Sequence, residues 1–339
     1  MKNDEKRNVC GISRREFIAG AAALGAAGIM GAFDAAFAAM APIPDGIAPE
    51  VPTVFPANKG RFRILAVTDL HFHLNHLVDM QTVKEVGEMV AKFEPDMVIP
   101  TGDVWHENPE GRGLEYCRYS CEQFAKLKKP WAYVWGNHDK ADDYDKAHKM
   151  IRNAPHSLYR GDAADGNYRI RVAAAEGGPA LWNLIILNDS RGGMRQEQLD
   201  WLKTESAAIK EETPAPPPAF AFFHIPIRQY DDVAKSGDAK GIKYENVSHE
   251  EGTHDALAAF RECGFLKGVF CGHDHVNNYY GEMEGVRLEY VRATGQGGYG
   301  GSLVPKGGTV IDINLETGEF RTIVVFANGK TWSPKKLVG

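Results

Sequence analysis

The chain has 339 residues, of which 43% are hydrophobic and 25% are charged, proportions typical of a globular protein with a substantial core. Its formal net charge is −6 at pH 7. A net negative protein gains no non-specific attraction to a phosphate backbone, so the charge disfavours nucleic acid as the main partner.

The first 38 residues have the pattern of an export signal. A polar, basic start leads to Ser13-Arg14-Arg15-Glu16-Phe17-Ile18, then to a weakly apolar run from Gly20 to Phe33 and the small-residue cleavage pattern Ala36-Phe37-Ala38. The paired arginines resemble a twin-arginine signal. We expect recognition by the twin-arginine export machinery, cleavage near Ala38 and a periplasmic protein; an ordinary secretory signal or a membrane anchor is the alternative. The run is too short to span a bilayer, so no stable membrane anchor is expected.

Residues 39–60 are rich in Pro and Gly and predict an extended linker before one domain over residues 61–339. Strand and helix patterns then alternate. Strands are predicted at 61–68, 97–101, 131–135, 168–174, 181–187, 220–223 and 268–271, and helices at 77–93, 113–127, 142–152, 195–210 and 253–263. Between residues 278 and 330, Glu-Gly and Glu-Thr-Gly turns predict antiparallel hairpins. This order favours a layered α/β sandwich with two mixed sheets.

Cysteine usage leaves the redox state open. Cys10 lies in the expected signal, and the cysteines that remain are Cys117, Cys121, Cys263 and Cys271. An exported protein can form disulfides. Buried free thiols are the simpler interpretation of these spacings.

Five short motifs each follow an apolar run, so we expect their polar residues on loops at strand ends, where open α/β sheets place their sites. The motifs are Asp69-Leu70-His71, Gly102-Asp103, Gly136-Asn137-His138-Asp139, His224 and Gly272-His273-Asp274-His275. In an extended Asp-x-His segment the two side chains point to one side and can reach one ion. A glycine before the ligand lets the backbone turn sharply.

Two divalent ions held about 3.5–4 Å apart need several oxygen and imidazole ligands, with at least one carboxylate shared between them. The motifs supply such a set: Asp69, His71, Asp103, Asn137, His224, His273 and His275. The sequence therefore predicts a two-metal site.

The order and types of these residues, over 61–276, resemble the calcineurin-like metallophosphoesterases, whose pattern runs D-x-H, G-D, G-N-H-D/E, H and G-H-x-H. The resemblance implies a four-layer α-β-β-α sandwich of two mixed sheets. It also implies two ions that share Asp103: one held by Asp69, His71, Asp103 and His275, the other by Asp103, Asn137, His224 and His273. The mixed N/O ligand set fits divalent or mixed-valence Mn, Fe, Zn or Ni better than Ca or Mg.

The resemblance further implies hydrolysis of a small phosphorylated substrate by a metal-bridging hydroxide. His138 would stabilise the transition state or protonate the leaving oxygen, and Asp139 would orient that imidazole. We expect a phosphomonoesterase. A phosphodiesterase with the same core and a non-catalytic phosphate-binding module are the alternatives.

Two other families compete for the histidines after Asp69. His71-Phe72-His73-Leu74-Asn75-His76 is similar to the H-x-H-x-D-H motif of metallo-β-lactamase-like hydrolases, but Asn75 stands where those enzymes have a carboxylate. Asp69-x-His71-x-His73 is similar to amidohydrolase barrels, which would leave the later motifs unexplained. His73, His76 and His106 either line the mouth of the site or are exposed loop residues.

Further details are similar to the purple-acid-phosphatase-related branch, above all the Phe-Phe-His-Ile-Pro segment around His224 and the loop Gly295–Gly301. The segment Asn188-Asp189-Ser190 also resembles that branch. Purple enzymes place a tyrosine shortly after the second motif's aspartate, but Val104-Trp105-His106-Glu107 follows Asp103, so a ferric tyrosinate centre is not expected. The glycine loop is expected near the site. Arg228 and Arg292 are candidates for a phosphate clamp or for packing.

Overall fold

The fold is built from two β-sheets, and the computed structural model describes residues 51–74, 77–250 and 255–339. The expected signal peptide, most of the expected linker, and His76 lie outside the described residues. The strands are β1 (Thr53–Val54), β2 (Arg61–Val67), β3 (Met97–Pro100), β4 (Tyr168–Ala173), β5 (Ala180–Ile186), β6 (Ala219–Phe222), β7 (Lys240–Lys243), β8 (Leu266–Cys271), β9 (Asn277–Met283), β10 (Val286–Tyr290), β11 (Gly307–Asn314), β12 (Phe320–Phe326), β13 (Thr331–Trp332) and β14 (Leu337–Val338).

Both sheets are mixed. The larger has nine strands in the order β1-β4-β5-β6-β8-β10-β9-β7-β14, and the smaller has five in the order β13-β12-β11-β2-β3. In the larger sheet β6 and β8 are parallel and β9 and β10 antiparallel. In the smaller sheet β2 and β3 are parallel and β11 and β12 antiparallel. The predicted late hairpins are thus confirmed.

The helices in the described part of the chain are α1 (Leu77–Phe93), α2 (Gly113–Lys126), α3 (Tyr144–Asn153), α4 (Gln196–Glu212), α5 (Gln229–Lys235) and α6 (Ala256–Cys263). Helix α1 buries Val86, Met89 and Val90, whose spacing places them on one face. Asp143 caps α3 by accepting a hydrogen bond from the backbone N–H of Lys146. None of the helices in these ranges combines the length and apolar character needed to cross a bilayer.

The sheets pack face to face with helices outside. Phe220 of β6 meets Phe320 of β12, with ring centroids 4.7 Å apart, and so joins the facing sides of the two sheets. On the opposite side of the larger sheet, Leu202 of α4 and Phe260 of α6 belong to one buried hydrophobic cluster with strand residues such as Val269. The four-layer fold class is confirmed.

One predicted strand does not form a regular ladder. Residues 131–135 lie beside β3, but only the isolated bridges Val98–Trp131 and Thr101–Val134 connect them. Pro100 stands between the two bridged positions of β3 and has no backbone N–H to donate, so the ladder is interrupted there.

The sequence patterns did not predict several short elements. Within the segment expected to be a linker, β1 pairs in parallel with β4, with Thr53 opposite Arg171. The helix expected at 253–263 is described from Ala256, since residues 251–254 lie outside the described ranges. Helix α5 and strands β7, β13 and β14 were not predicted. Two-residue strands, a four-residue strand and a seven-residue helix carry too few residues to show a period.

The cysteines of the domain are buried free thiols: Cys117, Cys121, Cys263 and Cys271. Burial raises the pKa of Cys117 and of Cys271 well above the ordinary value of a thiol. The simpler of the two sequence interpretations therefore holds.

Candidate metal centre

The predicted ligands lie on loops that leave neighbouring strands of both sheets and are tied to one another. The backbone N–H of Asp69, after β2, donates to the carbonyl of Gly102, after β3, at 3.0 Å. The backbone N–H of His273, after β8, donates to the Asp69 carboxylate at 3.2 Å. These cross-links bring the end of each sheet to one place.

Four of the predicted ligands have left-handed backbones: Asp69 (φ 53°), His71 (φ 46°), Asp103 (φ 51°) and His273 (φ 78°). The expectation of an extended Asp69-x-His71 segment is therefore wrong. Non-glycine residues adopt this region at a cost, and such strain clusters at functional sites. The turned backbone, rather than strand alternation, aims both side chains at one point.

One donor cluster comprises Asp69, His71 and His275. His275 Nε2 lies 3.2 Å from Asp69 Oδ1 and 3.2 Å from His71 Nε2. All three residues are at least 95% buried, so water competes little for their donor atoms.

The second donor cluster comprises Asp103, His224 and His273. His224 Nε2 lies 3.1 Å from Asp103 Oδ2 and 3.3 Å from His273 Nδ1. Asp103 Oδ2 also lies 3.8 Å from His71 Nε2. One carboxylate therefore faces both clusters, as the expected bridging role requires.

The donor geometry fits a pair of transition-metal ions. Two nitrogens bound to one ion at about 2.0–2.1 Å with tetrahedral angles lie about 3.4 Å apart, close to the imidazole pairs in both clusters. Asn137 Oδ1 is buried and has no hydrogen-bond partner among the described residues. A buried amide oxygen without a donor is unfavourable unless something else occupies it. A bound cation would satisfy this oxygen.

The buried charged groups of the site shift one another's pKa values. Burial would raise the pKa of Asp103, but the imidazoles of His224 and His71 together hold that pKa below the usual range. Burial would lower the pKa of His224, but the carboxylates of Asp103 and Asp69 raise it to about 10. Burial and the neighbouring His224 lower the pKa of His273 to about 4. A proton on His224 and a metal cation are therefore alternative counter-charges for the same carboxylate.

His138 lies at the edge of this pocket with 32% of its side chain exposed, and its Nε2 is 4.0 Å from Asp103 Oδ2. The expected hydrogen bond between Asp139 and His138 is not formed. Instead the Asp139 carboxylate accepts the backbone N–H groups of Trp105 at 3.0 Å and Gly136 at 2.8 Å. Asp139 therefore joins two ligand loops and does not orient the imidazole.

The carboxylate beside His138 is Glu107, whose Oε1 lies 2.7 Å from His138 Nδ1. The other oxygen of Glu107 lies 2.6 Å from Lys140 Nζ. The Nδ1 contact is close but not aligned as a hydrogen bond, since His138 Nδ1 has no such partner within the described ranges. The sequence analysis missed Glu107. Its only signal was an acidic residue four positions after Asp103.

Other side chains hold the ligand loops in place. Asp189 lies in the segment that resembles the purple-acid-phosphatase-related branch. Its carboxylate accepts hydrogen bonds from the backbone N–H of His224 at 2.9 Å and of Ile225 at 3.0 Å. Tyr299, in the glycine loop, stacks on His275 with ring centroids 4.0 Å apart. A Cβ on Gly298 would lie 2.5 Å from His275 Cε1, so only glycine fits there. The glycine loop thus lies against the site, as expected.

The remaining candidates fall outside the donor clusters. His73 packs against His106, with ring centroids 4.9 Å apart. Arg228 is exposed and pairs with Asp232. Arg292 is fully buried and donates to the carbonyl of His275, which is a supporting contact rather than an exposed clamp.

Known proteins resemble this chain in sequence and in fold. A "Probable inactive purple acid phosphatase 29" from Arabidopsis thaliana is 26% identical over 287 residues, which is 71% of this chain and 74% of that protein. Among solved structures, a dimetal phosphatase from Danio rerio has the same fold, with a TM-score of 0.54 and 12% identity over 78% of this chain and 95% of that one. A purple acid phosphatase from yellow lupin gives a TM-score of 0.50 and 12% identity over 83% and 54% of the two chains.

The sequence pattern of the calcineurin-like phosphoesterases matches residues 62–277, more than half of the 339-residue chain. That span begins in β2 and ends just after His275, so it includes both donor clusters. The chain belongs to the calcineurin-like phosphoesterase family, and its relatives include purple-acid-phosphatase-related proteins.

Proposed function

We propose that this protein is an exported phosphatase that hydrolyses small phosphate monoesters at a centre of two transition-metal ions. The observation that carries the proposal is the pair of donor clusters, with Asp103 of the second cluster also 3.8 Å from His71 of the first. A single-ion site would need neither the second cluster nor a carboxylate that faces both.

The side chains of the site have separate roles in the proposed reaction. The two ions, when bound, supply Lewis-acid polarisation of the phosphoryl group and an activated water. The carboxylates and imidazoles of the clusters hold the ions and neutralise part of their charge. His138 reaches the pocket through Nε2 and is partly exposed, so it can hold a proton there for the leaving oxygen. Glu107 Oε1 lies 2.7 Å from Nδ1 and helps to hold the imidazole in place.

Monoesters are favoured because the relatives with long matches carry phosphatase names. The word "inactive" in such a name makes a non-catalytic binding module the main competitor. The complete ligand set and His138 argue for catalysis, because binding alone needs no proton donor.

The test is reconstitution of metal-free protein with Mn, Fe, Zn or Ni, followed by turnover of p-nitrophenyl phosphate and bis-p-nitrophenyl phosphate. Faster hydrolysis of the monoester is expected. Preference for the diester would make the protein a phosphodiesterase, and no turnover of either ester by protein with two bound ions would leave the binding module.

His138→Ala is the matched variant, because the residue lies beside the two donor clusters and belongs to neither of them. It should keep both ions and slow turnover by about 10²–10⁴. Loss of the ions in this variant would assign His138 to the ligand set instead.

Export is proposed on Arg14-Arg15 and the weakly apolar run that follows them. In a bacterial host with a twin-arginine pathway, the chain should reach the periplasm in shortened form. Replacing Arg14 and Arg15 with lysines should retain the longer form in the cytoplasm. Unchanged export of that variant would favour an ordinary secretory signal.

A further inference from the structure

A third group of nitrogen donors lies next to the two clusters, and one of its members has no part in the proposed mechanism. His71, His106 and His138 have donor atoms within 4.8 Å of one another. His71 already belongs to the first donor cluster, and His138 is the proposed proton donor. His106 is exposed and has no role in the proposed function so far.

The two nitrogens of His71 face different neighbours. Nε2 lies 3.2 Å from His275 Nε2 and faces the cluster, whereas Nδ1 lies 3.3 Å from His106 Nδ1. A neutral imidazole that offers a lone pair at Nε2 carries its proton on Nδ1. His71 is 96% buried, so that proton needs an acceptor in the protein. His106 Nδ1 is placed to be that acceptor.

The corresponding outer nitrogens of two other cluster histidines contact backbone carbonyls. His224 Nδ1 lies 2.8 Å from the carbonyl of Thr101, and His275 Nδ1 lies 3.2 Å from the carbonyl of Tyr299. His71 differs because its outer partner is a side chain. Substitution can therefore remove this partner without changing the backbone.

His106 is held in position by its neighbours. Its backbone N–H donates to the carbonyl of Phe72 at 3.3 Å, next to the bridge between Phe72 and Trp105. Its ring stacks on His138 with centroids 5.5 Å apart and planes inclined by 12°. These contacts keep Nδ1 directed at His71.

We propose that His106 is a positioning residue: its Nδ1 accepts the Nδ1 proton of His71 and so fixes the His71 ring with Nε2 facing Asp69 and His275. The proposal rests on the two-metal site of the proposed function. Loss of such an outer-shell partner typically weakens metal affinity about 10–100-fold.

The test compares three variants by metal titration of the metal-free protein against a chromophoric chelator, together with the visible absorption of bound Co²⁺. His106→Phe keeps a ring for stacking but has no acceptor. His106→Asn keeps an acceptor in the side chain. His73→Phe is the control, because His73 packs on His106 but belongs to neither donor cluster.

In His106→Phe, one of the two ions should bind about 10–100-fold more weakly with an altered Co²⁺ spectrum, while the other keeps its affinity. The unchanged ion reports that the protein is folded. His106→Asn should recover most of the loss, and His73→Phe should bind both ions as the wild type does. Equal metal affinities in all variants, or weaker binding in His106→Phe that His106→Asn does not recover, would refute the positioning role of His106. Either result would leave the proposed function standing. Failure of the wild type to bind two ions would refute the proposed function as well.

Discussion

Asp103 and His224 form a fully buried ion pair across the site, with 3.1 Å between Oδ2 and Nε2, although 121 positions of sequence separate them. The carboxylate holds a proton on the imidazole, whose pKa it helps to raise to about 10. A metal ion at the second cluster must displace that proton.

Metal binding should therefore depend on pH. Below pH 10 the protonated His224 competes with the ion, so raising the pH removes the competitor and strengthens binding by up to about tenfold per pH unit. His273, whose pKa is lowered to about 4, is neutral near pH 7 and adds no proton. Calorimetry at about pH 7 in two buffers of different ionisation enthalpy should show about one proton released at this position. Binding that is independent of pH would contradict the assignment of His224 as a ligand.

Glu107→Gln should slow turnover without loss of metal. The substitution removes the negative charge 2.7 Å from His138 Nδ1, so the contact that positions the imidazole is weakened and kcat should fall about 10-fold or more. Steady-state kinetics with elemental analysis of the same samples makes the measurement. Lys140→Met removes the other partner of Glu107 and should change kcat far less. An unaltered kcat in Glu107→Gln would leave His138 without an orienting carboxylate.

Asp139→Asn should act on stability. Its carboxylate accepts two backbone N–H groups, and an amide places an N–H donor against one of them. We expect a loss of about 1–3 kcal/mol in the free energy of unfolding, measured with denaturant. The pH profile of kcat should keep its shape. A shifted pH profile with unchanged stability would instead show that Asp139 orients His138.

Gly136→Ala should disturb the bridging ligand. A Cβ at this position would lie 2.1 Å from the backbone nitrogen of Asp103 and 2.2 Å from its Oδ1. Because backbone must move to relieve that contact, metal affinity should fall by at least about 10-fold. Gly87→Ala in α1 is the matched control: its Cβ has no neighbour within 4 Å, and it should stabilise the protein by about 0.5–1 kcal/mol. Equal metal affinity in both variants would show that the Asp103 loop is not constrained by Gly136.

The sequence by itself determined the ligand types and most of the regular elements. Helix α1 begins and ends where the pattern predicts, because seventeen residues give several turns of a clear period. The candidate ligands could be proposed from the sequence because each motif is contiguous and follows an apolar run. The strand at 131–135 was mispredicted because its ladder depends on Pro100 in another segment.

Only the tertiary structure determines which side chains contact His138 and the candidate ligands. Asp139 is next to His138 in sequence but accepts hydrogen bonds from the backbone N–H groups of Trp105 and Gly136. Glu107, 31 positions from His138 in sequence, lies beside its imidazole instead. The contact between His71 and His106 likewise joins two loops, each held by backbone hydrogen bonds after its own strand. Metal-ligand types are fixed by chemistry that a sequence states directly. The partners of these side chains depend on how loops from two sheets turn toward one another. Local sequence patterns do not show how distant loops pack.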